Sequence, residues 1–111
     1  MDINELTLGQ IKEIQGLLGS SPANGDAHWR VGESYLIRTV TMIQVGRLES
    51  VTDKELVLSS AAWVADTGRF YNALKEGKLN EVEPFPNPVI VGRGSIIDAT
   101  VWTFALPKEQ K

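Results

Sequence analysis

Ser34–Ser59 reads SYLIRTVTMIQVGRLESVTDKELVLS, and the spacing of its apolar residues decides the fold class. β-Branched and aliphatic residues alternate with polar ones at period two, the pattern of half-buried strands. Two runs, Ser34–Val40 and Met42–Val51, read as strands. Gly46 inside the second marks a bulge or a close backbone approach. Thr52-Asp53-Lys54 is a tight turn, and Glu55–Ser59 is a third strand with Leu56 and Leu58 on one face. Strands joined by such short turns form an antiparallel meander.

The period changes on both sides of this meander. Downstream, Phe70, Ala73 and Leu74 line one face of a short helix over Gly68–Glu76. Asp66 or Thr67 is placed to N-cap it, and Gly77 to close it. Pro84, Pro86 and Pro88 forbid helix through the next bend. Val89–Val91 and Ile96–Phe104 then return as strands, and Lys108–Lys111 is a solvated tail. Upstream, Leu6, Leu8, Ile11, Ile14, Leu17 and Leu18 recur at helical spacing, which predicts an amphipathic helix over Thr7–Leu18 that needs a docking surface. Gly9 and Gly16 weaken it and Gly19 stops it. A turn-rich linker over 20–26 and an extended piece at His28–Gly32 lead into the sheet. The expected architecture is α+β: one domain over 1–111, a mostly antiparallel sheet over 34–104, an N-terminal amphipathic helix and one short helix. A small β-rich chain of this kind is expected to complete its core in an oligomer.

Composition removes several function classes. The net charge is −3 across 111 residues, so the chain lacks the basic face that supplies most affinity for a nucleic acid polymer. There is no cysteine, hence no disulfide, thiolate nucleophile or Cys zinc site. No apolar run approaches membrane-spanning length. The first residues, MDINELTLGQ, are acidic and carry no apolar signal core, so the expected address is the cytosol.

The segment Ala61–Trp102 concentrates the chemistry. It holds Trp63, Phe70, Tyr71 and Trp102, with Arg69, Arg93, Asn72 and Asn80, and no histidine or cysteine. Aromatic, Arg and Asn side chains hold ligands by stacking and hydrogen bonding but move protons poorly. Trp63 is expected in the core, with Phe70 or Tyr71 half-exposed at the helix start. Gly92-Arg93-Gly94-Ser95 is either an anion-cradling turn or a glycine-rich turn between two strands. Asp66-Thr67-Gly68 with Val89-Ile90-Val91-Gly92-Arg93 looks like the signature of dimeric aspartic proteases. That family wants a small residue after its triplet, where this chain has Arg69. Residues 69–91 also leave no room for its flap hairpin. His28 is the single histidine, so no metal site is expected on it. Glu81 and Glu83 share one face of a short strand. No catalytic constellation emerges, and the expectation is a binder without a cofactor rather than an enzyme.

The layout also carries a resemblance. Tyr35-Leu36-Ile37-Arg38, Val45-Gly46-Arg47-Leu48, Leu56-Val57-Leu58, Ala61-Ala62-Trp63, Phe70–Leu74 and Ile96-Ile97-Asp98-Ala99 together resemble the first described class of phage anti-Thoeris proteins. The resemblance implies a sponge that sequesters, without degrading, the signalling nucleotides of antiphage defence. These are glycocyclic ADP-ribose isomers and, in some members, cyclic oligonucleotides. It implies a dimer or a hexamer-type assembly in the host cytosol. It also implies a pocket made of an aromatic, an Asn and arginines; Phe70 and Asn80 match by type and spacing, and Arg47, Arg69 and Arg93 are the nearest arginines. Thr7–Leu18 has no counterpart in that pattern. A stacked base adds about 1–3 kcal/mol. Submicromolar capture needs more than about 8 kcal/mol, so several contacts and enclosure between subunits are required. The alternatives left open are a phage structural or protein-interaction module and a dimeric aspartic protease.

Overall fold

A computed structural model of the chain describes residues 28–111. The chain divides after Arg30 into two units, and the body considered below is Val31–Lys111. The helix expected over Thr7–Leu18 and the linker over 20–26 lie outside the described residues. The body is α+β: a mostly antiparallel sheet with one helix. Its elements are β1 (Ser34–Thr39), β2 (Ile43–Val51), β3 (Glu55–Asp66), α1 (Phe70–Glu76), β4 (Glu81–Pro84), β5 (Val89–Gly92), a 3-10 turn at Arg93–Ser95, and β6 (Ile96–Val101). Among the described residues no helix is long and apolar enough to cross a membrane.

Every strand pairing is antiparallel, in the order β4-β3-β2-β1-β6. β3 is long enough to take two partners along one edge: β5 on Glu55–Leu58 and β4 on Ala62–Asp66. The Pro-rich bend between β4 and β5 is the expected break in that edge.

β3 runs to Asp66, well beyond the Ser59 expected from sequence. The reason is a bulge. Ser60 adopts a positive φ of 49°, and the ladder with β2 slips between Val45 and Arg47. An extra residue in one strand reverses which side chains face which way. Leu56 and Leu58 therefore lie on one face, and Ala62 and Val64 on the other. Opposite the bulge, Gly46 permits the close approach expected of it: a Cβ there would stand 2.9 Å from that of Ala61.

One face of the sheet packs Leu36, Val45, Ala62, Val64 and Val82 against Ala73, Leu79 and Trp102. Phe70 and Leu74 of α1, with Phe104 and Leu106, close over this cluster. On the other face Ile37, Leu48, Leu56 and Leu58 are fully buried. Each such side chain contributes about 1.5–3 kcal/mol by leaving water.

Three further expectations are corrected. The last strand stops at Val101 instead of Phe104, because Trp102 turns into the core while its N–H still donates to Ser34 O at 2.8 Å. The C-terminal residues are not simply a solvated tail: Lys111 and Val82 exchange backbone hydrogen bonds of 2.9 and 3.2 Å along the outer edge of β4. The piece expected to be extended at His28–Gly32 contains a turn at Val31–Gly32 instead, with Gly32 at a φ of 96°.

Candidate ligand site at the start of α1

The corner between β3 and α1 is built by short-range hydrogen bonds. Asp66 Oδ1 accepts the Gly68 N–H at 2.8 Å, and Asp66 O accepts the Asn80 N–H at 2.9 Å. Gly68 has a φ of 70°, the left-handed region that favours glycine. The Asn80 side chain lies against it: a Cβ on Gly68 would stand 3.0 Å from Asn80 Oδ1. The N-cap position of α1 belongs to Arg69 and makes no side-chain cap, so neither Asp66 nor Thr67 caps the helix as expected. The Thr67 hydroxyl donates to Gly68 O at 2.7 Å instead. The helix starts at Phe70 and not Gly68, and Gly77 closes it in a left-handed conformation, as its sequence position implies. Arg69, Phe70 and Asn80 are thereby gathered at one corner.

Beside that corner is a recess of 180 Å³ between α1 and the sheet. Phe70 and Leu74 form one wall; Leu36, Asp98, Ala99 and Thr100 form the other. Arg38 lies at its rim. The guanidinium carbon is 5.0 Å from the Phe70 ring centroid, a cation–π contact. Its Nε and a terminal nitrogen donate to the two Asp98 carboxylate oxygens at 2.8 and 2.5 Å. These bonds, and then the attraction between the charges, raise the Arg38 pKa above its usual value. The same hydrogen bonds hold the Asp98 carboxyl below its usual range. The charge of Arg38 is thus already matched. Arg69 is exposed, with no hydrogen bond or ion pair from its side chain among the described residues, and is available to an incoming anion.

The other two expected arginines are elsewhere. Arg47 shares a sheet face with Arg38 but lies at the far end of the β1–β2 ladder, opposite Ser34. It pairs with Glu49 at 3.2 Å. Glu49 also accepts the Ser59 hydroxyl at 2.5 Å, and that bond, followed by the one from Arg47, lowers its pKa. Arg93 closes the β2–β3 turn: its N–H donates to Lys54 O at 2.8 Å and its guanidinium to Thr52 O. Gly92-Arg93-Gly94-Ser95 makes a turn between β5 and β6, held by the Ser95 hydroxyl on Gly92 O at 2.8 Å.

The aromatics differ from expectation in one respect. Trp63 is half-buried and Trp102 is the core tryptophan, with 3% of its surface exposed. Phe70 is half-buried, and Tyr71 is 66% exposed with Lys75 Nζ 5.8 Å from its ring centroid. Arg38, Asp98 and Thr100 escaped the sequence reading as site residues. The available signal was the polar member of each apolar strand: Arg38 after Leu36-Ile37, and Asp98 after Ile96-Ile97. Asp66 of the Asp-Thr-Gly triplet is exposed at the end of β3. No protein-family model matches this chain, and no curated protein matches it.

Proposed function

We propose that the chain binds, without transforming it, a small anionic nucleotide of the kind antiphage defence systems make as a signal. Glycocyclic ADP-ribose and cyclic oligonucleotides are the candidates, and sequestration in the host cytosol would silence the signal. The observation that carries this reading is the meeting of Arg69, Phe70 and Asn80 at one corner, beside a recess. In this reading a base stacks on Phe70 or its neighbour Tyr71, Asn80 reads an amide-like edge, and Arg69 bonds the phosphates. The resemblance to the anti-Thoeris sponges points the same way.

A recess of 180 Å³ is small beside the roughly 300–1,000 Å³ of pockets that enclose a whole ligand. A second copy of the chain is proposed to supply the missing wall along β6. β6 lines the recess and ends the strand order, and its Ile97 and Val101 are 62% and 50% exposed. Antiparallel pairing of two β6 strands about Ala99 would set Ile97 across from Val101 and Asp98 across from Thr100. No like charges would then face each other.

Native mass spectrometry of the protein, alone and with glycocyclic ADP-ribose or cyclic di- and trinucleotides, tests the reading. The expected result is an oligomer carrying a stoichiometric adduct of intact ligand mass. No adduct from any of these nucleotides, or only the mass of a breakdown product, sinks it. The exposed apolar edge of β6 favours one other reading, a protein-interaction module; there, no nucleotide binds and Arg69→Ala is silent.

A further inference from the structure

We propose a second binding site, on the opposite side of the sheet, for the arginine side chain of a peptide partner. It does not depend on the nucleotide reading. Gln44, Trp63 and Glu83 are direct partners across β2, β3 and β4, so their side chains share one face. Phe85 continues that face beyond β4, its N–H fixed to Ala61 O at 2.8 Å. Trp63, Phe85, Met42 and Pro84, with Glu83, line an open recess of 210 Å³. Met42 at its edge is 42% exposed.

The lining selects its occupant by charge and shape. Two aromatic rings, a thioether and a proline ring make an apolar floor, and Glu83 is the single ionisable group in it. Among the described residues the Glu83 side chain has no ion pair or hydrogen bond. An apolar segment docking here would strip water from that carboxylate and return nothing. A phosphate would be repelled by it. A cation satisfies both features, since an aromatic face attracts positive charge and the carboxylate bonds it. Guanidinium fits better than ammonium, being flat enough to lie on an indole while forking onto a carboxylate. The volume suits one side chain and is below the roughly 300 Å³ where whole-ligand pockets begin, which favours a peptide anchored by one residue.

The test is a two-dimensional amide NMR titration of the full chain with acetyl-Gly-Arg-Gly-amide and with its citrulline counterpart. Citrulline keeps the shape of arginine and removes the charge. The Trp63 indole signal is assigned from Trp63→Phe, whose spectrum also reports folding. The arginine peptide is expected to shift the Trp63 indole and the Glu83 amide saturably. The citrulline peptide, and Glu83→Gln titrated with the arginine peptide, are each expected to bind about tenfold more weakly. Arg69→Ala should leave this titration unchanged, which separates the site from the nucleotide corner. Equal binding of the two peptides, shifts confined to other residues, or no saturation at millimolar arginine peptide overturns the proposal.

Discussion

Gly77→Ala is the substitution for which the structure gives the clearest magnitude. Gly77 ends α1 with a φ of 74°, and its N–H donates to Ala73 O at 2.9 Å. An alanine held in that left-handed conformation costs about 1–2 kcal/mol from the backbone alone. The new methyl would also collide with Phe104: it would stand 2.7 and 2.8 Å from Cδ1 and Cβ of that ring, with Cγ nearer still. Phe104 has little freedom to retreat, because its ring packs edge-on against the buried Trp102 with centroids 5.2 Å apart. Overpacking of this kind adds about 1–3 kcal/mol. The expected cost is therefore about 2–5 kcal/mol, a large part of the roughly 5–15 kcal/mol that holds a domain together.

Urea unfolding followed by tryptophan fluorescence measures this. The same substitution in a Phe104→Ala background should cost only the backbone share, about 1–2 kcal/mol, leaving a coupling of about 1–3 kcal/mol between the two positions. Gly94→Ala serves as the control. That glycine is outside the positive-φ set and a Cβ there meets nothing within 4 Å, so its effect should stay within about 0.5 kcal/mol. A Gly77→Ala cost below about 1 kcal/mol, or an equal cost with and without the Phe104 ring, would refute the packing of the 102–106 segment over α1.

The remaining predictions concern charge. Asp98 has its pKa lowered in the fold by the Arg38 hydrogen bonds, so its stabilising share is present above the ordinary carboxylate pKa of about 3.9 and is lost as pH falls through the lower folded value. Asp98→Asn should accordingly be less stable than the parent near neutrality, with the gap closing below about pH 4; a gap that persists in acid, in urea melts across pH, would contradict this. Arg69→Ala should weaken nucleotide capture about tenfold or more with little change in urea midpoint, whereas Arg93→Ala should lower the midpoint and leave capture intact. Calorimetry beside the melts separates the two, and the reverse pattern would move the ligand to the other end of the sheet.

The period-two pattern was enough to find β1, β2 and the start of β3, because alternation in those runs comes from one face being buried. It failed at Ser60. The bulge there exchanges the two faces, so Leu56 and Leu58 are out of phase with Ala62 and Val64, and the strand looks as though it ends. The same exchange explains why Trp63, expected in the core, is not there. Trp63 points away from Ala62 and the core cluster, onto the face that holds Gln44 and Glu83, and stays half-exposed. A phase slip of one residue carries no compositional mark of its own, apart from the glycine across from it at Gly46.

The candidate site divides along the same line. Arg69, Phe70 and Asn80 could be grouped from sequence because a seven-residue helix closed by a glycine returns the chain to the end of β3. Nothing local could join Arg38 to Asp98, which meet across sixty positions through the β1–β6 ladder. Arg47 and Arg93 show the converse. The family resemblance named both among the arginines nearest its implied pocket, yet a guanidinium binds whichever acceptor the fold sets beside it. For Arg93 that is the Thr52 carbonyl left open by the β2–β3 turn, and for Arg47 it is the Glu49 carboxylate. Of the five residues picked from sequence, those that gather at the α1 corner are the ones whose neighbours are close in sequence. The other two are occupied by partners that only the strand register supplies. In the proposed nucleotide reading, recognition at that corner rests on Arg69, the arginine that the fold leaves uncommitted.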